Sequence, residues 1–218
     1  MSESKAKSTS TPRKRGICFV LSAPSGAGKS TIANALRATQ PNLFPSISVT
    51  TRDPRPGEEH GVHYHFISQE EFKKQAENDE LLEWATVFGR GYGTPRAPVE
   101  KLLSEGKDLI FDIDWQGHQQ IRKALPHDVV GIFILPPSLN ELKNRLQLRG
   151  SDHIDEINNR MNKAMDEISH WNEFDYVIIN HQLNKAIEEI ESILASERLK
   201  TDRQLFLDPF IQNFQHER

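Results

Sequence analysis

The ten residues "SAPSGAGKST" at positions 22–31 constrain the fold of this chain more than any other segment. They continue from the apolar run "ICFVL" and lead into "TIANALRATQ", whose apolar residues recur with a helical period. The part "APSGAGKS" has the spacing of a phosphate-binding loop, with Ala23 where glycine is usual. Gly26 and Gly28 let successive backbone N–H groups point at phosphate oxygens, and the helix adds the positive end of its dipole. The sequence therefore predicts a nucleoside triphosphate site between a buried strand and a helix.

The residues of this loop have distinct expected roles. Lys29 reaches the β- and γ-phosphates, and Ser30 is able to ligate magnesium. The expected contacts to the triphosphate come from Ala23, Pro24, Ser25, Gly26, Ala27, Gly28, Lys29, Ser30 and Thr31. The loop alone leaves GTPases, motor ATPases, sulfotransferase-like folds and small-molecule kinases open. The chain of 218 residues is short for most ATPases and has no obvious "NKxD"-type guanine reader, so the phosphate acceptor must be sought elsewhere.

Strands and helices alternate along most of the chain. "DLIFDID" and "VVGIFIL" are continuous apolar runs typical of strands buried on both faces, "FDYVIIN" indicates a further strand, and helical segments separate them. This order predicts an α/β fold with a central parallel sheet flanked by helices. The segment 46–94 differs, because its strands alternate and its connections are short, which indicates a mixed α/β insert beside the main sheet. We expect Tyr92 and Thr94 of this segment on a glycine-rich turn.

Composition argues against several classes of function. The net charge of -4 argues against a dedicated nucleic-acid binder, which usually carries a basic excess. The one cysteine, Cys18, lies in an apolar run and is interpreted as a buried hydrophobe, and one cysteine allows no disulfide within the chain. No apolar stretch has the length of a membrane span, and no signal-peptide core is visible. We therefore expect a cytoplasmic protein with neither a membrane nor a nucleic-acid partner.

A stiff segment after the first helix offers two arginines for a second phosphate. Arg52 and Arg55 are three residues apart in "TTRDPRPGEE", where two prolines restrict the backbone. Arginine binds phosphate in a bidentate manner, and a rigid loop lowers the entropic cost of ordering. Tyr64, on an alternating strand, is able to donate its hydroxyl to the same phosphate. The residues alone leave solvated surface arginines as an equal alternative.

A carboxylate on the next strand favours guanine as the base of that second nucleotide. Glu83 stands beside Trp84 in "LLEWATVF", and a carboxylate on an apolar strand needs a partner. Guanine has adjacent N–H donors on its Watson–Crick edge, whereas adenine would leave the carboxylate unsatisfied. The alternative is an exposed strand residue.

Two further carboxylates follow a buried strand. Asp112 and Asp114 stand at the end of "DLIFDID", and ligands bind at the carboxyl ends of strands in open parallel sheets. One of them is able to hold magnesium or a magnesium-bound water. For Asp114 alone, capping of the next helix is an alternative.

Together these motifs resemble the guanylate kinase family. The shared features are the phosphate-binding loop, "SVTTRDPRPGE", "EWA", "YGT", "DIDWQG", the arginine-bearing helix "PPSLNELKNRLQLRG" and "DYVIIN", in the family's order and approximate spacing. The resemblance covers roughly residues 16–196. It implies a P-loop kinase fold with a GMP-binding insert and a helical lid, and the magnesium-dependent transfer of the γ-phosphate of ATP to GMP, and dGMP, giving ADP and GDP.

The resemblance also implies roles for individual residues. Arg52, Arg55, Tyr64 and Tyr92 would bind the GMP phosphate, while Ser48, Glu83, Thr94 and Asp114 would read or frame the guanine, with Asp112 nearby. Lys29, Arg145, Arg149 and Arg160 would be catalytic, the three arginines closing with the lid, and Asn180 would lie near the adenine. Magnesium would be held by Ser30, with Asp112 through water. His181 departs from the family, whose members commonly carry aspartate there.

The implied organisation has a basic disordered tail at 1–15, a kinase domain at 16–199 and a C-terminal extension at 200–218. Within the kinase domain the core comprises 16–45, 95–137 and 171–199, the GMP-binding insert 46–94 and the lid 138–170. The extension carries Phe206, Phe210 and Phe214, for either packing on the chain's own surface or a homo-oligomer contact. Two other functions stay open, a non-catalytic scaffold that binds partner proteins and a kinase for another acceptor.

Overall fold

Nine strands and eight α-helices make up the described part of the chain. The structure is a computed structural model that describes residues 14–148, 154–204 and 207–216. The strands are β1 (Cys18–Ser22), β2 (Leu43–Pro45), β3 (Val49–Thr50), β4 (His65–Phe66), β5 (Leu81–Val87), β6 (Arg90–Pro95), β7 (Asp108–Asp112), β8 (Val129–Leu135) and β9 (Tyr176–Ile179). The helices are α1 (Lys29–Thr39), α2 (Gln69–Glu77), α3 (Arg96–Ser104), α4 (Trp115–Ala124), α5 (Leu139–Leu148), α6 (Ile154–Ser169), α7 (Leu183–Leu199) and α8 (Leu207–His216).

The central sheet is parallel, as the continuous apolar runs predict. Its order is β2-β7-β1-β8-β9, so β1 lies in the middle between β7 and β8. Successive side chains of a strand point to opposite faces. Phe19 belongs to the core on the side of α1 and α7, and Val20 belongs to the core on the side of α3 and α4. Burial on both faces explains why this strand is apolar without alternation.

A second, mixed sheet is formed by strands of the segment 46–95. Its order is β4-β3-β6-β5, with β5 and β6 antiparallel and β3 parallel to β4. Helix α2 buries Phe72 against this sheet. The Ser68 hydroxyl accepts a hydrogen bond from the Glu71 N–H at 3.1 Å, as expected at the start of this helix.

One prediction for this segment is wrong: Tyr92 and Thr94 lie on strand β6, not on a turn. The reversal comes earlier, at Phe88 and Gly89, which both have positive φ. Position 91 in β6 is a glycine because a Cβ there would lie only 2.7 Å from an atom of the Phe72 ring. Its lack of a side chain therefore reflects close packing and not a turn.

The polar segment after β8 forms α5 and α6, which pack through Leu142, Leu146 and Ala164. The last helix, α8, begins at Leu207, so Pro209 falls in its first turn, where a proline is tolerated. The Phe210 and Phe214 rings pack edge to face with their centres 4.8 Å apart, and both side chains are about half exposed. Residues 1–13, Arg149 and Phe206 lie outside the described residues. In the described part of the chain, none of the helices has the length and apolarity that a membrane crossing requires.

Candidate active site

The predicted phosphate-binding loop connects β1 to α1 at the carboxyl edge of the central sheet. Gly26 and Gly28 have φ of 97° and 102°, a conformation that favours glycine. Gly28 is the N-cap of α1, and among the described residues neither a capping side chain nor an acidic residue satisfies the first helical turn. The free N–H groups and the helix dipole therefore favour an anion at this end of the helix. Ala23 is 8% exposed, so its small side chain fits the buried start of the loop.

Lys29 and Ser30 both contact Asp112. The Lys29 Nζ atom lies 2.7 Å from Asp112 Oδ1 and donates to the Ile113 carbonyl at 2.9 Å. The Ser30 hydroxyl donates to Asp112 Oδ2 at 2.7 Å. The register of the sheet explains the contact, because Leu21 pairs with Asp112 and places the end of β7 beside the loop. The structure thus brings together the two residues predicted to hold magnesium.

A cavity of about 270 Å³ lies in front of this loop. Its walls are Ala23, Pro24, Ser25, Gly26, Gly28, Lys29, Ser30, Asp112, Asp114 and Glu167. Of the other predicted loop contacts, Ala27 is fully buried and Thr31 is exposed on α1.

Sequence reasoning missed Glu167, which α6 places in this cavity. Its Oε2 atom accepts a hydrogen bond from the Ser25 N–H at 3.2 Å. Burial raises the pKa of Glu167, while the Ser25 N–H and the Lys29 charge act in the opposite direction. The available signal was its spacing of seven residues from Arg160, which places both on one face of a helix already predicted as the lid.

Asn180 is buried behind the loop. Its side-chain amide donates to the Ala27 carbonyl at 2.8 Å, and a Cβ on Gly28 would come within 2.7 Å of the same amide nitrogen. The backbone carbonyl of Asn180 accepts a 3.4 Å hydrogen bond from the Arg145 guanidinium, which also donates to the Glu141 carboxylate at 2.9 Å. In this structure the Asn180 side chain therefore supports the shape of the loop.

Two of the three predicted lid arginines, Arg145 and Arg160, lie on α5 and α6, and Arg149 lies outside the described residues. Neither Arg145 nor Arg160 is among the described residues that line the cavity at the phosphate-binding loop. Arg160 is partly buried on α6.

The predicted acceptor-phosphate residues surround Glu58, which sequence reasoning did not identify. Arg52 donates to both Glu58 carboxylate oxygens at 2.9 Å, and the Arg55 backbone N–H donates to Glu58 Oε2 at 2.7 Å. The hydrogen bond from Arg55 and those from Arg52 lower the pKa of Glu58. The Arg52 guanidinium lies 5.5 Å from the centre of the Tyr64 ring, and the centres of the Tyr64 and Tyr92 rings are 6.2 Å apart. A carboxylate thus pairs with Arg52, one of the residues predicted to hold a phosphate.

Glu83, Thr94 and Asp114 meet at the beginning of α4. Glu83 is 7% exposed, so the alternative of an exposed strand residue is wrong. Its Oε1 atom accepts from the Thr94 hydroxyl at 2.7 Å, because Thr94 is its partner across β5 and β6. Asp114 caps α4 by accepting from the Gly117 N–H at 2.8 Å, and a Cβ on Gly117 would come within 3.4 Å of Glu83 Oε2.

The environment of Glu83 changes its acidity. Burial raises the pKa of Glu83 from its ordinary 4.5 to about 7, and the charge of Asp114 adds to the rise, while the Thr94 hydroxyl opposes it. A buried carboxylate with only one hydrogen-bond donor is poorly satisfied when ionised. A ligand that offers further N–H donors would therefore stabilise the ionised form.

A second cavity, of about 260 Å³, lies between α1 and the insert and is lined in part by Glu58, Tyr64 and Asp112. Asp112 therefore faces both this cavity and the one at the phosphate-binding loop. Ser48 lies on the approach to β3, where its carbonyl accepts from the His65 N–H at 2.9 Å. A third cavity, of about 550 Å³, lies between α2, α3 and the second sheet, and none of the predicted site residues lines it.

Comparison with known proteins gives a consistent result along the chain. A family model described as guanylate kinase matches residues 15–197. A guanylate kinase of Gluconobacter oxydans is 62% identical over 206 residues, which cover 94% of this chain and 99% of that protein. A guanylate kinase of Granulibacter bethesdensis is 57% identical over 194 residues, covering 89% of this chain and 91% of that protein.

A solved structure supports the fold. The crystal structure of guanylate kinase from Anaplasma phagocytophilum superposes with a TM-score of 0.73 at 38% sequence identity. The match covers 92% of this chain and 95% of that one. The likeness therefore extends over the central sheet, the second sheet and the helices that follow.

Proposed function

The chain belongs to the guanylate kinase family, and from this premise we propose that it transfers the γ-phosphate of ATP to GMP, giving ADP and GDP. The observation that carries the proposal is the position of Asp112, which faces both the cavity at the phosphate-binding loop and the cavity at the second sheet. An ATP phosphate at the loop and a GMP phosphate near Tyr64 would meet beside this carboxylate. Such proximity is the main requirement of phosphoryl transfer.

The donor half consists of the loop and its neighbours. Backbone N–H groups of the loop and the beginning of α1 would bind the phosphates of ATP. The Lys29 ammonium group, which now pairs with the Asp112 carboxylate, would instead pair with the β- and γ-phosphates. Asn180 would act by holding the loop carbonyl of Ala27 and lie near the adenine.

The oxygens at Ser30 and Asp112 fit a magnesium ion. The Ser30 hydroxyl and the Asp112 carboxylate are adjacent hard ligands. Among the described residues no group of three or more His, Cys, Asp and Glu side chains is arranged to hold a metal. Magnesium is usually bound by one or two protein groups together with waters and substrate phosphates. When bound there, magnesium would neutralise charge on the transferring phosphate.

The acceptor half is the second sheet. Arg52, Arg55, Tyr64 and Tyr92 would bind the GMP phosphate, which would replace the Glu58 carboxylate as the partner of Arg52. Because two anions cannot share this cluster favourably, Glu58 would have to withdraw.

Guanine recognition would rest on Glu83. Guanine N–H donors would satisfy its buried carboxylate, while Ser48, Thr94 and Asp114 frame the base. None of the assigned contacts depends on the ribose 2′-hydroxyl, so we propose that dGMP is also a substrate. Adenine would leave the Glu83 carboxylate unsatisfied, which is a strong form of discrimination.

The transfer step requires little covalent chemistry from the protein. An oxygen of the GMP phosphate attacks the γ-phosphorus of ATP while the bond to ADP breaks, and the nucleophile is already ionised near neutral pH. Lys29 and the lid residues Arg145, Arg149 and Arg160 would stabilise the charge of the transition state after α5 and α6 close. Closure would also exclude water and thereby limit hydrolysis of ATP.

An assay of ADP release with GMP, dGMP, AMP, CMP and UMP tests this function. We expect turnover with GMP and dGMP and little with the other nucleotides. Preference for AMP over GMP would contradict the role of Glu83, and turnover of none of the five would favour a non-catalytic scaffold. A cytoplasmic location, a homo-oligomer and the domain boundaries stay predictions from sequence.

A further inference from the structure

One acidic side chain lies at the position where a phosphate group of ATP would bind in the donor site. Glu167, on α6, accepts a hydrogen bond from the Ser25 N–H at 3.2 Å and lines the cavity of the phosphate-binding loop. The Ser25 N–H belongs to the row of backbone donors that such loops direct at phosphate oxygens. A carboxylate oxygen accepts this hydrogen bond in the same way as a phosphate oxygen does.

Opposing electrostatic effects act on the Glu167 carboxylate. Lys29 attracts the carboxylate, whereas Asp114 and Asp166 repel it, and burial opposes its ionisation. A triphosphate in the same cavity would add several negative charges beside it. The carboxylate and the triphosphate therefore cannot both occupy the cavity without strong repulsion.

We propose that Glu167 is an internal occupant of the donor-phosphate site, which ATP must displace, and that this side chain thereby sets the affinity for the donor. This inference rests on the proposed function and adds a determinant of donor binding to it. Displacement has a consequence for the lid, because Arg160 lies on α6 seven residues before Glu167. This spacing is close to two helical turns, so both residues lie on one face. Release of Glu167 from Ser25 would remove a hydrogen bond that ties the helix carrying Arg160 to the loop.

Isothermal titration calorimetry of the full chain with magnesium–ATP tests the proposal. Glu167→Gln keeps an oxygen that is able to accept from the Ser25 N–H but removes the charge. We expect its Kd for ATP to be about tenfold lower than that of the wild type, equivalent to about 1.4 kcal/mol. The KM for GMP should stay unchanged, because Glu167 does not line the acceptor cavity.

Asp166→Asn is the matched control. It removes the same charge from the neighbouring residue, which is exposed and does not line the donor cavity. We expect it to change the Kd for ATP by less than about twofold, since exposed charges are screened by solvent. A decrease of equal size in both variants would mean a general charge effect and would overturn the proposal.

Glu167→Asp provides a second measurement should the glutamine variant fold poorly. The shorter side chain withdraws the carboxylate from the Ser25 N–H, so we expect a Kd for ATP between those of the wild type and Glu167→Gln. Unchanged or weaker ATP binding in a folded variant would overturn the proposal and assign Glu167 to shaping the loop. Turnover of GMP by the wild type, measured in the same series, tests the proposed function separately.

Discussion

Replacement of Glu83 by glutamine is expected to stabilise the protein at high pH while it damages the activity. The substitution keeps the shape of the side chain and an oxygen that accepts from the Thr94 hydroxyl. It removes a charge that is buried, since Glu83 is only 7% exposed. Stability and activity should therefore change in opposite directions, a pattern expected where a fold tolerates an unfavourable group for its function.

The size of the effect on stability follows from the pKa. Burial raises the pKa of Glu83 from 4.5 to about 7, a difference that corresponds to about 3 kcal/mol. The native state binds the proton more tightly than the unfolded state, so the free energy of unfolding falls as the pH rises from about 4.5 through about 7. Below this window the carboxyl is neutral in both states and imposes no penalty. Above it the whole penalty is present.

Urea unfolding of the ligand-free protein at pH 4, 6 and 8 measures this difference. We expect Glu83→Gln to match the wild type at pH 4 and to exceed it by about 3 kcal/mol at pH 8. Glu80→Gln is the matched control, because Glu80 lies three residues away, is exposed and loses the same charge. Its difference from the wild type should stay within about 0.5 kcal/mol at each pH. A Glu83→Gln difference that is the same at pH 4 and pH 8 would refute the reasoning.

The same variant tests recognition of the base. The ionised Glu83 would accept two hydrogen bonds from guanine, whereas the amide of glutamine opposes one donor with another. Loss of about 3 kcal/mol of transition-state stabilisation corresponds to a decrease in kcat/KM for GMP of about 100-fold. The KM for ATP should be unchanged. An equal loss for both substrates would indicate a general disturbance of the site.

The remaining predictions concern the loop and the arginine cluster. Lys29→Ala should lower kcat by at least about 1,000-fold and leave the circular dichroism spectrum unchanged, because in the proposed mechanism Lys29 would neutralise the transferring phosphate; near-normal turnover would contradict its role. Arg52→Lys keeps the charge but loses the bidentate geometry, so the KM for GMP should rise about tenfold in steady-state kinetics, and an equal rise for ATP would argue against an acceptor role. Asn180→Ala leaves the Ala27 carbonyl without its donor and should cost about 1–3 kcal/mol in urea unfolding together with a higher KM for ATP. A higher KM with unchanged stability would instead assign Asn180 to direct contact with the donor.

Local sequence was sufficient to predict the central fold. The phosphate-binding loop is a contiguous motif, and its glycines adopt the positive φ that the motif requires. The apolar runs predict buried parallel strands, and the central sheet confirms this for β1, β7 and β8. The edge strand β9 is parallel but leaves Val177 and Ile179 exposed. Strand β2 was not predicted, because its three residues are too short for a periodic pattern. The glycines of β6 predict a turn, because glycine occurs both in turns and where elements pack closely, and only the position of Phe72 distinguishes the two.

The sequence by itself predicted the chemistry proposed for this protein: a donor-phosphate loop, an arginine pair for a second phosphate and carboxylates suited to guanine and magnesium. These features depend on residue type and short spacing. The tertiary structure alone decided that Glu83 is buried, that Asp112 faces both cavities and that Glu58 and Glu167 occupy the predicted phosphate sites. Glu167 lies 142 residues along the chain from the loop N–H that it contacts. Such contacts arise from the packing of distant elements, and burial, acidity and competition between anions are properties of that packing.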